Sequence, residues 1–321
     1  MISSSILKKS QSLIALLLLM IVLSIVTDKF LTAGNLWNVL RQISVNMCLS
    51  IGMTLVILTA GIDLSVGAVL GLSGAICAGL LKSGISIPAM DLWIGFTVLG
   101  AIIAAIMVGT ALGLFNGWVI TRFSVPPFVA TLSMLTVARG LTFLYTQGQP
   151  ISDLGTNFEK IGTAWFLGVP VPVWISVLFI LAFYVLTTKT SLGRFIYAIG
   201  GNEKAAQVSG VPIQKVKWIV YALSGAMAAI GGVLVTSRLN SAQPNAGINY
   251  ELDAIAAIVI GGTSLSGGQG SVKGTIIGAI LIGVLNNGLV LLNVSPFWQQ
   301  VVKGLVILLA VIVDKMNQKA K

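Results

Sequence analysis

The stretch Leu92–Ile120, LWIGFTVLGAIIAAIMVGTALGLFNGWVI, contains no charged residue. An α-helix rises about 1.5 Å per residue, so about 20 apolar residues cross the hydrocarbon core of a bilayer. The stretch therefore predicts a membrane-spanning helix. Within it Gly109, Gly113 and Gly117 recur at every fourth position. Because no hydrophobic effect draws helices together in lipid, small residues at this spacing favour close helix packing, and we expect a compact bundle.

The composition of the whole chain extends this prediction. Of the 321 residues, 56% are hydrophobic and 9% are charged, whereas soluble domains carry about 25% charged residues. We therefore expect an all-α integral membrane protein that forms a single transmembrane domain over residues 1–321. The formal net charge of +10 then indicates basic cytoplasmic loops and no nucleic-acid partner.

Apolar runs of suitable length predict a bundle of about ten transmembrane helices. The eighth run is the weakest, because its apolar part ends at Ile260 before Gly261 and Gly262. A short, broken or re-entrant helix is expected there, with its free backbone groups facing protein or a water-filled cavity. In Leu55–Ala75 an apolar run is likewise followed by glycine and then by small residues. This similarity reflects either a distant internal repeat or chance. The ten runs lie at residues 12–27, 44–60, 65–81, 92–120, 127–146, 172–187, 218–236, 253–265, 273–292 and 297–313.

The distribution of basic residues orients these spans. With the N-terminus inside, twelve of the 19 lysines and arginines fall in cytoplasmic segments and five in outer segments. Cytoplasmic loops are enriched in Lys and Arg, so both termini are predicted to be cytoplasmic (N-in/C-in). Arg139 and Lys303 lie within spans. A cation at mid-bilayer costs about 3 kcal/mol, so both side chains are expected to face the bundle interior, unless Lys303 reaches the interface.

The largest predicted cytoplasmic loop, residues 187–217, contains the polar stretch GGNEKAAQVSGVP, which begins at Gly200. Asn202 is a favourable N-cap, Glu203 adds negative charge to a first turn, and Gly210 suits the left-handed conformation of a C′ residue. These signals predict a helix of about seven residues that begins at Glu203. At about 10 Å, it is too short to span a membrane.

Two roles are open for this short helix. It either lies against anionic headgroups as an interfacial helix or docks onto a cytoplasmic partner. Its apolar face, Ala205, Ala206 and Val208, is small for lipid binding, which favours docking. The candidate coupling residues are Gly201, Asn202, Glu203, Lys204, Ala205, Ala206, Ser209 and Gly210.

Polar residues in or beside the spans are candidates for a translocation path, because ionisable groups in membrane segments mark functional sites by default. Asp63, Ser65, Arg139 and Asp253 form this candidate set. Structural roles compete with the functional one. Asp63 is also a suitable N-cap for a helix that begins near Leu64, and Asp253 is a suitable first-turn charge.

Several absences in the sequence limit its chemistry. The chain contains no histidine, the commonest general base and metal ligand, and both cysteines, Cys48 and Cys77, fall within predicted spans. A partial match to the phosphate-binding loop pattern occurs at Gly267–Thr275, GGQGSVKGT. Val272 occupies the position of the required glycine, so the pattern is not fulfilled. We therefore expect a transport protein rather than an enzyme, with no metal, no cofactor and no nucleotide site of its own.

The energy source of such transport is open to two main answers. An ion-coupled carrier places ionisable groups in mid-span, whereas all nine acidic residues of this chain fall in loops or at span ends. This pattern favours a separate ATPase docked on the cytoplasmic face. An ion-coupled secondary transporter is the alternative, and a membrane enzyme of lipid or envelope processing is a third class.

Three blocks of sequence resemble the permease subunits of bacterial ABC sugar importers, and the resemblance covers nearly the whole chain. The resemblance implies a homodimer of ten-span permeases in the bacterial inner membrane, surrounded by membrane lipid. It also implies two partners, a cytoplasmic ATPase that binds ATP and Mg²⁺ and a periplasmic sugar-binding protein. The blocks are GMTLVILTAGIDLSVG (Gly52–Gly67), SLGRFIYAIGGNEKAAQVSGV (Ser191–Val211) and SAQPNAGINYELDAIAAIVIGGTSLSGGQG (Ser241–Gly270).

The resemblance also implies a role for the short cytoplasmic helix. Gly201–Gly210 corresponds to the segment that couples the permease to its ATPase. Many importer permeases carry a Glu-Ala-Ala…Gly pattern there, which Lys204 interrupts between Glu203 and Ala205 in this chain. A pentose substrate, ribose in particular, follows from the resemblance alone, and the sequence itself identifies no sugar-contacting residue.

Overall fold

A computed structural model describes residues 4–87 and 91–319, and this part of the chain is mostly helical. The helices are α1 (Ser4–Val26), α2 (Ala33–Leu58), α3 (Val66–Lys82), α4 (Val98–Arg122), α5 (Pro127–Thr146), α6 (Thr156–Thr163), α7 (Val171–Lys189), α8 (Ser191–Gly201), α9 (Glu203–Val208), α10 (Ile213–Leu239), α11 (Tyr250–Ile260), α12 (Val272–Leu291) and α13 (Pro296–Lys319). The strands are β1 (Ile85–Ile87), β2 (Leu92–Ile94), β3 (Ile151–Ser152), β4 (Trp165–Phe166), β5 (Val169–Pro170) and β6 (Ser241–Ala242). They form the antiparallel pairs β1 with β2, β3 with β6 and β4 with β5.

Six helices in the described residues are long and apolar enough to cross a membrane, namely α2, α4, α5, α7, α10 and α12. Gln11–Val26, Val66–Lys82 and Pro296–Leu309 are shorter apolar helices. The chain is therefore a multi-pass membrane protein. α11 has 11 residues and rises about 16 Å, roughly half of the hydrocarbon core, so the eighth predicted span is short as expected. The count of ten crossings and the N-in/C-in orientation stay predictions.

Several helices begin away from the predicted start of their span, and α4 and α2 are two examples. Residues 92–94 form β2 instead of helix, and α4 begins only at Val98 because the Thr97 side chain accepts a hydrogen bond from the first turn and caps it. In contrast, α2 begins at Ala33, well before the predicted residue 44. Its first turns carry polar residues that interrupt the apolar run, so hydropathy alone places the start of α2 too late.

One compact unit of the chain comprises Ile62–Val177 and Pro212–Glu251. Within it α10 packs against α3, α4 and α6, and α3 also packs against α5. Glycines of α4 allow this approach. A Cβ atom on Gly113 would lie 2.1 Å from the Tyr221 carbonyl oxygen, and a Cβ atom on Gly109 would lie 2.5 Å from a carbonyl oxygen of α10. Larger side chains do not fit at these positions, so the predicted close helix packing is confirmed.

The other compact unit comprises the residues up to Gly61, Leu178–Val211 and the residues from Leu252 onward. Within it α12 packs against α1 and α2. The side chains of Asn35 and Asn287 exchange two amide hydrogen bonds, of 3.0 and 2.8 Å. Because a buried amide is costly without a partner, this reciprocal pair fixes α2 against α12. The single domain over residues 1–321 stays a prediction.

Candidate coupling site

α9 is a six-residue helix whose N-terminus is capped by a side chain. The Asn202 side-chain oxygen accepts a hydrogen bond of 3.0 Å from the Ala205 N–H. Asn202 has extended backbone angles, as an N-cap residue normally has. So short a helix is marginal in isolation, and the cap satisfies a backbone donor that would otherwise have no partner in the helix.

The C-terminus of α9 is closed by a Schellman motif. Gly210 has a φ of +81°, its N–H donates to the Gln207 carbonyl, and the Val211 N–H donates to the Ala206 carbonyl, both at 3.0 Å. This pair of bonds, with a glycine in the left-handed region, defines the motif. The predicted capped helix is confirmed, and its last helical residue is Val208, one residue earlier than expected.

The side chains of α9 are mostly exposed. Ala206 is buried, whereas Glu203, Lys204 and Gln207 are exposed. Val208 is 91% exposed, so this apolar side chain gains little from the fold of the chain itself. α9 is thus held through Ala206 and its caps, and it presents charged, amide and apolar groups to its surroundings.

Immediately before α9, the end of α8 contacts two other segments of the same compact unit. A Cβ atom on Gly200 would lie 1.8 Å from the Leu58 carbonyl oxygen and 2.4 Å from the Gly268 nitrogen. The Gly268 N–H donates to the Leu58 carbonyl at 3.0 Å. These three residues, which we call the Gly200 junction, join α8 to the end of α2 and to the loop between α11 and α12.

Tyr197 adds a side-chain contact next to the Gly200 junction. Its hydroxyl group donates a 2.9 Å hydrogen bond to the carbonyl of Gly270. Burial raises the pKa of the Tyr197 phenol above its usual value, which keeps the hydroxyl protonated and able to donate. α8 therefore contacts the loop between α11 and α12 through both its backbone and a side chain.

Asp63 and Ser65 lie together in a buried polar cluster before α3. Asp63 is 1% exposed, and its Oδ1 accepts hydrogen bonds from the Ser65 N–H at 3.1 Å and from the Ser65 hydroxyl at 2.6 Å. Its Oδ2 accepts a bond of 2.8 Å from the Ser224 hydroxyl of α10. The Asn116 amide of α4 donates to the Ser65 hydroxyl oxygen at 3.1 Å. Asp63 therefore closes a turn before α3, which begins at Val66, and ties that turn to α10.

Arg139 of α5 contacts the backbone between α10 and α11. Its Nη1 donates to the carbonyl oxygens of Pro244 at 3.0 Å and Ala246 at 2.7 Å. The guanidinium group thus meets protein oxygens within its own compact unit, in agreement with the expectation for a cation inside a span.

Asp253 of α11 forms an ion pair with Lys303 of α13. The Lys303 Nζ lies 3.0 Å from the Asp253 Oδ2, and the Asn286 amide of α12 donates to the same oxygen at 3.2 Å. The Asp253 side chain is 5% exposed and the Lys303 side chain 24%. Each charge therefore has a partner inside the protein, and three helices meet at this pair.

The predicted path residues do not form one cluster. Asp63 and Ser65 contact each other, whereas Arg139 and Asp253 each have other partners, and a role of the four residues in a translocation path stays a prediction. Asn116 and Ser224 are missing from the predicted set, although a polar residue inside a predicted span is itself a signal. The partners of Gly200 and Tyr197 have no comparable sequence signal, because glycine and tyrosine are common in membrane helices and near their ends.

No group of three or more His, Cys, Asp or Glu residues suited to a metal ion is present in residues 4–87 and 91–319. What the described residues do contain is a set of apolar spanning helices and an exposed, capped helix joined to one of them. Such an arrangement suits a membrane permease.

Comparison with known proteins agrees with this class. A family model described as the permease component of the branched-chain amino acid transport system matches residues 35–311, and the chain belongs to this permease family. It is 51% identical to a ribose import permease protein of Bacillus subtilis (strain 168), over 97% of this chain and 94% of that protein. Ribose import permease proteins of Haemophilus influenzae and Escherichia coli (strain K12) are 49% and 48% identical, over 95% and 97% of this chain and 93% and 95% of their own lengths. None of the solved structures matches this chain.

Proposed function

We propose that this chain is the membrane-spanning permease of an ATP-driven importer and that it translocates a monosaccharide, ribose or a similar pentose. The observation that carries the proposal is the identity of about half of its residues to three ribose import permeases, over more than nine tenths of each chain. The matching family model is described as a permease component of amino acid transport. The proposed sugar substrate therefore rests on the three ribose permeases and not on the family. An ion-coupled secondary transporter is the less favoured alternative.

The segment Gly201–Gly210, with α9 at its centre, is proposed to couple the permease to the ATPase. Support comes from the two caps of α9 and from its exposed Glu203, Lys204 and Val208. A capped helix keeps its shape when a partner pushes on it, and its exposed groups supply a binding surface. Attachment to lipid is less favoured, because one exposed valine offers little apolar area for insertion into a membrane interface.

The working assembly is proposed to contain two copies of this chain, a cytoplasmic ATPase and a periplasmic sugar-binding protein, in the inner membrane of a bacterium. ATP and Mg²⁺ bind to the ATPase, since the phosphate-loop pattern of this chain is interrupted at Val272. Closure of the ATPase moves both α9 helices. The spanning helices then open a path alternately to the periplasm and to the cytoplasm.

Reconstitution into liposomes tests the energy source and the substrate together. The purified permease is combined with the candidate ATPase and sugar-binding protein, and uptake of ribose, xylose and glucose is measured with and without ATP. We expect uptake that requires ATP and is fastest for ribose, and negligible uptake by the permease alone. Uphill uptake driven by a proton gradient without ATP would instead favour the ion-coupled carrier, and equally fast uptake of glucose would contradict the pentose assignment.

A variant of α9 tests the coupling role in the same liposomes. Glu203→Lys reverses a charge of the first turn, and Ala206→Pro removes the N–H that donates to the Asn202 carbonyl at 2.9 Å. Uptake is expected to fall at least about tenfold while ATP hydrolysis continues, a change within the range of typical coupling energies. The control Glu203→Gln with Ala206→Ser keeps the helix and is expected to transport normally. Wild-type uptake by the first variant would remove the coupling role.

A further inference from the structure

We propose that the Gly200 junction transmits the movement of α9 to the spanning helix α2, which makes Gly200 and Tyr197 positioning residues of the transport cycle. This inference rests on the proposed function, since it names the route by which the coupling helix acts. It concerns only residues of one compact unit.

The C-terminal end of α2 depends on a hydrogen-bond partner from outside the helix. Leu58 is the last residue of α2, and the last carbonyls of a helix have no partner within it. The Leu58 carbonyl accepts the Gly268 N–H, so the end of α2 is completed by the loop between α11 and α12. A shift of that loop therefore breaks this bond or moves the end of α2 with it.

α8 lies directly against this bonded pair. A Cβ atom on Gly200 would lie 1.8 Å from the Leu58 oxygen and 2.4 Å from the Gly268 nitrogen. A contact this close between backbones is stiff, because backbone atoms cannot move aside as the end of a flexible side chain does. The contact of Gly268 with α8 is close as well, since its own Cβ position lies 2.7 Å from the Gly201 nitrogen.

The connection from α9 to the Gly200 junction is stiff. α8 ends at Gly201 and α9 begins at Glu203, so Asn202 alone separates them. Asn202 is bonded on both sides, because its N–H donates to the Ala198 carbonyl and its side chain accepts from Ala205. α8 is anchored through the fully buried Ile196. A displacement of α9 therefore reaches Gly200 without a flexible linker in between.

A matched pair of glycines provides the test. Gly200→Ala inserts a methyl group into the Gly200 junction, whereas Gly140→Ala, in α5 and outside the coupling segment, meets no atom beyond its own helix within 4 Å of its Cβ position. Both variants replace a helical glycine by alanine, so they reduce the flexibility of the unfolded chain in the same way. In the reconstituted transporter, the sugar taken up per ATP hydrolysed is measured, together with the amount of assembled complex and its elution profile in detergent.

Gly200→Ala is expected to lower the ratio of sugar to ATP about tenfold, with Gly140→Ala close to wild type. Should Gly200→Ala fail to assemble, Tyr197→Phe decides, since it removes the hydrogen bond to Gly270 without adding volume and is expected to lower the same ratio in a fully assembled complex. A wild-type ratio in assembled Gly200→Ala, or in Tyr197→Phe where Gly200→Ala does not assemble, would overturn the transmission route. If the ratio is unchanged while Glu203→Lys with Ala206→Pro still lowers uptake, the coupling role of α9 stands and only the route is wrong. Wild-type uptake by the α9 variant as well would reject both proposals.

Discussion

Asp63 illustrates how this chain accommodates a carboxylate where little water reaches it. Both of its oxygens accept hydrogen bonds from serine hydroxyls, and one also accepts a backbone N–H. A buried charged group is tolerated when hydrogen bonds replace its hydration. Asp63 therefore acts in the described fold as the centre of a turn that positions α3, and we expect its partner Ser224 to contribute to stability.

Removal of the Ser224 hydroxyl tests this role. Ser224→Ala deprives the Asp63 Oδ2 of its donor at 2.8 Å, and an unsatisfied buried acceptor typically costs about 1 to 3 kcal/mol. We expect a lower thermal unfolding midpoint in detergent. Ser133→Ala is the matched control, because the exposed Ser133 hydroxyl bonds only to the Val129 carbonyl of its own helix. Equal midpoints for the two variants would show that the serine bond to Asp63 adds no stability.

At the scale of elements, α9 depends on its ends and α11 on its neighbours. α9 is too short to persist through helix propensity alone, so its N-cap and Schellman motif carry the local stability. α11 is too short to cross the hydrocarbon core, and it bears the buried Asp253. Lys303 of α13 and Asn286 of α12 supply the partners for that carboxylate, so Asp253 links the three helices.

The ion pair between Asp253 and Lys303 is expected to stabilise the fold. Lys303→Met leaves the Asp253 carboxylate without a cation, and breaking a buried pair typically costs about 3 to 5 kcal/mol. Because the Lys303 side chain is 24% exposed, a smaller loss of about 2 kcal/mol is expected. Urea or thermal unfolding in detergent measures it, and the double variant Lys303→Met with Asp253→Asn is expected to regain part of the loss.

The control for this prediction is an exposed pair of the same chain. Lys82 and Asp153 lie 3.9 Å apart with side chains that are 47% and 90% exposed, so Lys82→Met is expected to leave stability unchanged. A loss from Lys82→Met as large as that from Lys303→Met would mean that the positive charge itself, and not the buried pairing, determines the effect.

The elements were largely predictable from sequence, whereas their partners were not. A run such as α5 is visible because a span needs about 20 apolar residues, and the caps of α9 are visible because their signals lie within a few positions of one another. The ion pair of Asp253 joins residues 50 positions apart, and the amide pair of Asn35 joins residues 252 positions apart. No local pattern reports contacts of that separation. β2 was not predicted, although it is a local element, because apolar residues alone do not distinguish a short strand from the start of a helix.

At the scale of the whole molecule, two groups of contacts, each within one unit, join segments that are predicted to lie on the same side of the membrane. The end of α2, the end of α8 and the loop between α11 and α12 are all predicted to be cytoplasmic, and they meet at the Gly200 junction. β3 and β6 belong to segments that are both predicted to lie outside, and they pair with each other in the unit that comprises Ile62–Val177 and Pro212–Glu251. A different arrangement of crossings would have to keep each of these groups on one side.

Labelling of single cysteines tests the orientation of the molecule. Gln207 of α9 and Asn157 of α6 are both exposed on short helices, and α7 is the one predicted span between them. With a membrane-impermeant maleimide, Asn157→Cys is expected to react in cells whose outer membrane is permeabilised, and Gln207→Cys only in inverted membrane vesicles. The native Cys48 and Cys77 are free and fully buried, so the parent protein is expected to stay unlabelled and serves as the control. Reaction of Gln207→Cys from the periplasmic side would invert the predicted orientation and place α9 out of reach of any cytoplasmic ATPase, whereas reaction of both variants from the same side would mean that α7 does not cross.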